Sequence, residues 1–197
     1  MADIQDLIPP LRRAAEQGNA EAQYRLGLLY ADGEGVAVDY TEAERWLRAA
    51  AGQGQADAMR ALSTLHANGL GVVQDTAEAR RWLLAAAEAG DAAAQCAAAA
   101  MFQFGHLDCE RDAAAMVHWY TEAARQDHAR AQFALGKLCA TGDQMPQDDE
   151  AAFQWLTLAI LNGSEPAKRE LAMLTARLDA ATLEDFKQRM LSRIASH

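Results

Sequence analysis

Several things are scarce in this 197-residue chain, and each scarcity excludes something. There are four prolines, so long segments run uninterrupted and remain open to helix. The three cysteines, Cys96, Cys109 and Cys139, are odd in number and unrelated in spacing. That is no disulfide framework, and reduced thiols are the simpler state. No run of about 18 apolar residues is present, which excludes a helical membrane span. The acidic start, Met1-Ala2-Asp3-Ile4-Gln5-Asp6, has no apolar stretch of signal-peptide length and points to a cytoplasmic chain. Strand-type runs of Val, Ile, Thr and Tyr are missing, which argues against a sheet-based enzyme fold. Positive charge is short as well: 18 Lys and Arg stand against 28 carboxylates. Duplex nucleic acid and anionic membrane surfaces are poor partners for such a chain. Residues 1–163 hold twelve basic and twenty-three acidic residues, a net charge of −11, so a basic partner surface is favoured there.

Alanine is abundant instead. Forty-six alanines lift the hydrophobic share to 51% while aromatics stay at 7%. Alanine is the best helix former and lets helices approach closely, so an all-α protein is expected. The order within that composition is periodic. Trp46, Trp82, Trp119 and Trp155 lie 36, 37 and 36 residues apart. Gly33, Gly69, Gly105 and Gly142 keep the same step, as do Asp39, Asp75, Asp112 and Asp148. Ala43, Ala79 and Ala152 precede their tryptophans by three residues, with Met116 in the third copy. Gly54, Gly90 and Gly163 close three copies, Asp127 closes the other, and Gly18 stands one period earlier. Several independent columns on one period mark a repeat array.

Each copy reads as helix, turn, helix. In the first, Ala22, Leu26, Leu29 and Tyr30 form an apolar stripe at helical spacing, broken by Asp32-Gly33-Glu34-Gly35. Asp39 then stands as the N-cap of a second helix carrying Ala43, Trp46, Leu47, Ala49 and Ala50. Small residues, Gly27, Ser63, Ala99 and Gly136, share the place where the two helices cross. The tryptophans are expected to fill the space between one helix pair and the next. The units are residues 19–54, 55–90, 91–127 and 128–163, stacked as a solenoid because each can bury its apolar faces only against its neighbours. Residues 1–18 are expected to be an N-terminal capping half-repeat whose helix is opened by Pro9-Pro10. Residues 164–197, more charged and without tryptophan, are expected to be a C-terminal capping helix pair.

The stretch Ala22-Gln23-Tyr24-Arg25-Leu26-Gly27-Leu28-Leu29-Tyr30, followed by Gly33-Glu34-Gly35-Val36, Asp39, Ala43, Trp46 and Ala49-Ala50, resembles the Sel-one-like repeat. That family is a branch of the tetratricopeptide-type helical solenoids. Ala58, Leu62, Gly69, Gly71, Val72, Asp75, Ala79 and Trp82 match in the second copy. Ala131-Gln132, Leu135-Gly136, Gly142, Asp148, Ala152 and Trp155 match in the fourth. The third departs, with Ala99 in place of the first glycine and Leu107-Asp108 in the turn. The resemblance implies a right-handed α-solenoid and a bacterial scaffold or adaptor that binds other proteins. It implies no catalytic residues, and no cofactor or metal is expected.

Other motifs reduce to structure. Gly33-Glu34-Gly35 and Gly69-Leu70-Gly71 lack the third glycine of a dinucleotide fingerprint and recur as turns. His106 and Cys109 are three apart, too few for zinc. His66 shares the column of Tyr30 and Phe102 and reads as a packed or semi-exposed residue, while His118 flanks Trp119 on an exposed side. Asp148-Asp149-Glu150 is explained by a helix N-terminus. In a helix-pair solenoid the first helices line the concave side, and their non-core positions are free to specify a partner. These are Tyr24, Leu28, Arg60, Thr64, Cys96, Ala100, Gln103, Phe133 and Lys137, with Tyr24 and Phe133 as aromatic anchors. Packing against a neighbouring helix is the competing role for both aromatics. The expected function is a non-enzymatic protein–protein interaction scaffold. The alternatives are a dedicated inhibitor or immunity protein of a toxin or effector, motivated by the acidity, and a thiol-dependent hydrolase using Cys109 or Cys96.

Overall fold

The computed structural model describes residues 4–195, with side chains over 6–192. The described residues form eleven helices and no strand. They are α1 (Ile4–Glu16), α2 (Ala20–Asp32), α3 (Tyr40–Ala51), α4 (Ala56–Asn68), α5 (Thr76–Glu88) and α6 (Ala92–Phe104), then α7 (Ala113–Arg125), α8 (Ala129–Thr141), α9 (Asp149–Leu161), α10 (Glu165–Arg177) and α11 (Ala180–Ala195). None of these helices is long and apolar enough to cross a membrane. The acidic start at residues 1–3, and the last two residues of the C-terminal pair, lie outside the described residues.

The recurring aspartates and glycines do what their spacing predicts. The carboxylate of Asp39 accepts from the Thr41 and Glu42 amides, that of Asp75 from Glu78, Asp112 from Ala115 and Asp148 from Ala151. Each thereby satisfies donors that a helix start leaves open. Gly33, Gly69, Gly105 and Gly142 close α2, α4, α6 and α8 in the left-handed conformation. In the third copy Leu107 and Asp108 are both left-handed, with φ of 54° and 52°. Such residues cost about 1–2 kcal/mol each without compensation. Here α5 pins them. Thr76 Oγ1 donates to Asp108 Oδ2 at 2.6 Å, and Arg80 Nη1 donates to the carbonyls of Leu107 and Asp108 at 3.2 and 3.1 Å.

One expectation is corrected. Pro9-Pro10 does not open α1, which begins at Ile4 and carries both prolines inside. Each proline removes a helical hydrogen bond. The helix persists because Ile8 and Ala15, at helical spacing across the prolines, are both buried, and Ala15 joins Ala22, Leu26 and Trp46 in one cluster.

The chain divides into two compact units, Met1–Glu110 and Arg111–His197. In the first, α2 packs on α3 and α4 on α5 as hairpins, and α1·α2, α3·α4 and α5·α6 join them in sequence. The hairpin crossing is tight. A β-carbon on Gly27 would stand 2.7 Å from Leu47 Cγ and 3.3 Å from the Ala43 carbonyl. Trp46 packs with Ala15, Ala22 and Leu26 in the layer between α1 and α2. Trp82 packs in the next layer, against Leu47, Ala50, Ala58 and Leu62. Both indoles donate Nε1 to a glutamate one turn back, Trp46 to Glu42 at 3.1 Å and Trp82 to Glu78 at 2.9 Å. Arg45 lies over the Trp46 ring at 4.0 Å.

In the second unit, α8 and α9 form the hairpin, with α7 on α8 and with α10 and α11 on α9. Gly136 meets Leu156 as Gly27 meets Leu47, and a β-carbon there would also lie 3.0 Å from the Leu156 backbone nitrogen. Cys139, Ala152, Phe153, Leu156, Ala167, Leu174 and Met190 form its core, with Trp155 packed against it. The Asp148-Asp149-Glu150 cluster is shared out: Asp148 caps α9, Asp149 pairs with Arg177 and Glu150 pairs with Arg189 at 2.9 Å.

A further column escaped the sequence pattern. Gln23, Gln95 and Gln132 are buried and donate Nε2 to the carbonyls of Ala15, Ala87 and Ala124, each eight residues back at the end of the preceding helix. Gln132 Oε1 accepts from Asn162 at 2.9 Å, and Gln23 Oε1 from Gln53 at 2.8 Å. Gln23 and Gln132 thus each tie three helix ends together.

Two stability predictions follow from this packing. Overpacking costs about 1–3 kcal/mol, against roughly 1 kcal/mol that alanine gains over glycine inside a helix. Because a backbone atom blocks the site at Gly136, Gly136→Ala should lower the urea unfolding midpoint; a midpoint at or above the parent's would contradict the close crossing. Gln132→Ala should destabilise by about 0.5–1.5 kcal/mol by removing one buried hydrogen bond from the Ala124 carbonyl, which keeps the Asp127 amide as its other donor. Gln132→Met should cost less, since Met59 already fills that column in the second copy.

Candidate interaction surface

The exposed flank of α2 and α4 holds the most developed surface among the expected residues. Leu28, Arg60 and Thr64 come together around an open depression of about 270 Å³, whose floor includes Leu47, Leu65 and Leu70 and whose rim includes Asp32 and Tyr40. This is below the roughly 300–1,000 Å³ typical of small-molecule sites. It suits one or two side chains of a partner better than a cofactor.

Tyr24 is half-buried and packs against the cluster of Leu47, Ala58 and Leu62. Burial pushes its phenol pKa above the ordinary value, and Asp57 adds to the rise. Arg60 is not a loose cation. Its Nη2 donates to Asp57 at 2.6 Å and its Nε to Asp91, the N-cap of α6, at 3.3 Å. Burial works against its charge, but the two carboxylates outweigh burial and raise the guanidinium pKa. Arg60 therefore ties α4 to the start of α6. Thr64 is exposed and donates Oγ1 to the Arg60 carbonyl at 3.3 Å.

On α6 the expectation is corrected at one place. Cys96 is 4% exposed and belongs to the core. It shares a column with Tyr24, Arg60 and Phe133, whose long side chains reach out of the helix seam, and its short thiol does not. Ala100 and Gln103 are half-buried on the same helix and do not line the depression. In the second unit, Phe133 is half-buried and packs on the core around Cys139 and Ala152, while Lys137 is exposed on α8. Asp32, Tyr40 and Leu70 went unrecognised in the sequence because they stand at helix ends and in a turn, outside the first-helix pattern.

The remaining chemistry-bearing residues are dispersed. Cys139 is buried, and burial pushes its thiol pKa up. Cys109 Sγ donates to the Glu110 carbonyl at 3.3 Å, and exposed His106 stacks on Phe104 with ring centres 5.7 Å apart. His66 is buried, its Nε2 3.2 Å from Arg48 Nη2 and 3.5 Å from Glu44 Oε1. His118 is exposed beside Trp119, with ring centres 4.7 Å apart.

The Tyr24 environment has a measurable consequence. Its folded pKa lies above the unfolded one, so its contribution to stability is complete below the ordinary phenol value and is lost as pH rises through the raised value. Ultraviolet titration should show ionisation above the ordinary phenol value, and its amplitude there should fall by one tyrosine in Tyr24→Phe; an unchanged amplitude would contradict the raised value at Tyr24.

Comparison with known proteins yields one family. The Sel1 repeat model matches residues 20–55, 56–91, 92–128 and 129–164. A Sel1 repeat protein from Oxalobacter formigenes is similar in structure, with a TM-score of 0.80 and 32% identity over 96% of this chain and 79% of that one. The protein c5321, a protective antigen of uropathogenic Escherichia coli strains with an SLR fold, has a TM-score of 0.81 and 33% identity. That match covers 87% of this chain and only 37% of the c5321 chain. No curated protein matches.

Proposed function

Because the chain belongs to the Sel1 repeat family, whose members typically are non-catalytic scaffolds for protein–protein interaction, we propose that it binds a partner protein or peptide on the face of α2 and α4. The depression framed by Leu28, Arg60 and Thr64 carries this reading. Its floor is aliphatic, so it would accept an apolar side chain of the partner. Its rim is acidic in balance. Arg60 is already neutralised by Asp57 and Asp91, which leaves Asp32 and the surplus of carboxylates over residues 1–163 to set the local field. A partner with basic residues flanking its apolar anchor would fit, and its association would weaken with salt.

The scaffold adds little ordering cost. The Asn19 cap of α2, its tight crossing at Gly27 and the Arg60 pairs of α4 already hold these helices in place, so binding would not have to fold them. Acidity alone supports a broad class of basic partners and does not single out a toxin or effector.

Affinity capture with wild-type protein and with Thr64→Trp tests the proposal. The tryptophan should fill the depression without displacing a buried side chain, because Thr64 is exposed. The expected result is one dominant partner with the wild type, recovered about tenfold less with the variant at an unchanged thermal melt. Equal recovery would place binding elsewhere.

A further inference from the structure

The acidity of the chain is unevenly shared. Residues 1–110 have a net charge of −8 and residues 111–197 a net charge of −2. In the first unit the arginines of α2 and α4 are held by carboxylates, Arg25 by Glu21 and Arg60 by Asp57 and Asp91. In the second unit Arg130 and Lys137 on α8 and Arg169 on α10 are exposed, and none has an ion pair among the described residues. The repeat register puts the three on one face. The helices α8 and α10 have 13 residues each, start 36 residues apart and bury matching positions, Ala131 with Ala167 and Leu138 with Leu174. Phe133 therefore shares a column with Arg169, and Lys137 shares one with Met173, which is 59% exposed. Arg130, Phe133 and Lys137 follow one another at helical spacing along α8, as Arg169 and Met173 do along α10. The two helices are fastened side by side. Arg177 donates Nη2 to the Ala140 carbonyl at 2.8 Å and pairs with Asp149, and half-buried Phe133 packs on the core that contains Ala167 and Leu174. Carboxylates nearby leave the face positive. Glu165 is taken by Lys168, and Asp127 turns to Gln132 and to Asn162 at the end of α9. Half-buried Glu170 is the unpaired carboxylate that α8 and α10 carry against three unpaired cations, and Asp143 lies in the turn beyond α8.

We propose that this face of α8 and α10 binds an acidic segment of a partner protein, one with an apolar residue between its carboxylates. The apolar residue would lie on Met173 and Phe133, whose positions alternate with those of the cations. Carboxylates on either side of it would meet Arg130, Lys137 and Arg169. A guanidinium fork takes a carboxylate through two parallel hydrogen bonds, and the flexible thioether of methionine adapts to apolar side chains of varied shape. The sign of the charge sets this face apart from the α2–α4 depression, which favours basic flanks. Exposed ion pairs are weak one by one, so binding would need several at once and would fall with salt. A long polyanion such as nucleic acid is a poorer fit, because the unit as a whole keeps its negative balance and offers no continuous basic track. The proposal does not rest on the depression at Leu28, Arg60 and Thr64.

The probe is a labelled synthetic peptide with glutamates on both sides of a central leucine, and its control carries glutamines in their place. Fluorescence anisotropy with the whole protein at low salt should show saturable binding of the glutamate peptide and binding about tenfold weaker or less for the glutamine peptide. Arg130→Gln, Lys137→Gln and Arg169→Gln combined should weaken the glutamate peptide about tenfold or more. The thermal melt should stay unchanged, because all three sites are exposed. Met173→Ala should weaken binding severalfold, which attraction between charges alone would not produce. Thr64→Trp should leave it unchanged, which separates this face from the depression. Absence of saturable binding below roughly 1 mM, or equal binding by the glutamine peptide, by the triple variant or by Met173→Ala, would overturn the proposal. Sedimentation showing self-association that the triple variant abolishes would also overturn it, by giving the face to the acidic unit of a second copy.

Discussion

Two helices can approach this closely only where one of them has almost no side chain at the crossing. Gly27 under Leu47 and Gly136 under Leu156 leave no room for a β-carbon. Close approach brings the whole of each leucine under cover, and full burial of one such side chain is worth about 1.5–3 kcal/mol. It also fixes the relative height of the two helices, because a leucine lodged over a glycine cannot slide along the axis. The other elements of the repeat follow from that register. The left-handed glycines end the first helices, the aspartates start the second, and the indoles of Trp46 and Trp82 fill the layers on either side of α3.

A hairpin built this way is complete on one side only. Its remaining apolar columns need a neighbour, which is the physical reason such proteins are arrays. At α9 the need is met by α10 and α11, with Arg177 and Arg189 pairing to Asp149 and Glu150. At α1 it is met by α2 and Trp46. Electrostatics then sorts what approaches. Most arginines are occupied by carboxylates within the chain, as Arg25, Arg45, Arg48, Arg60 and Arg81 are. In the first unit the excess negative charge is what a partner meets.

The fold was legible because its signals are local and repeated. A capping aspartate needs only the amides two or three residues ahead of it, and a helix-ending glycine needs only its own backbone freedom. The failures have a common origin. Pro9-Pro10 looks like a helix start when judged by proline's missing amide, yet the burial of Ile8 and Ala15 on either side outweighs that local preference. Cys96 looks like a surface position by its column, yet what reaches the surface depends on side-chain length as well as register. The glutamine column was visible at Gln23, Gln95 and Gln132, but Met59 interrupts it, and nothing in a periodicity says that an amide bonds to a carbonyl eight residues back.

By itself the amino-acid sequence determined the helices, their caps, the period and the family, since each depends on contacts spanning a few residues or on their repetition at one spacing. Tertiary structure decided which side chains gather at the surface. The gathering of Leu28, Arg60 and Thr64 and the withdrawal of Cys96 both depend on the distance and rotation between helices far apart in the chain. Those quantities are set by how whole side-chain layers interlock, and no single residue type encodes them.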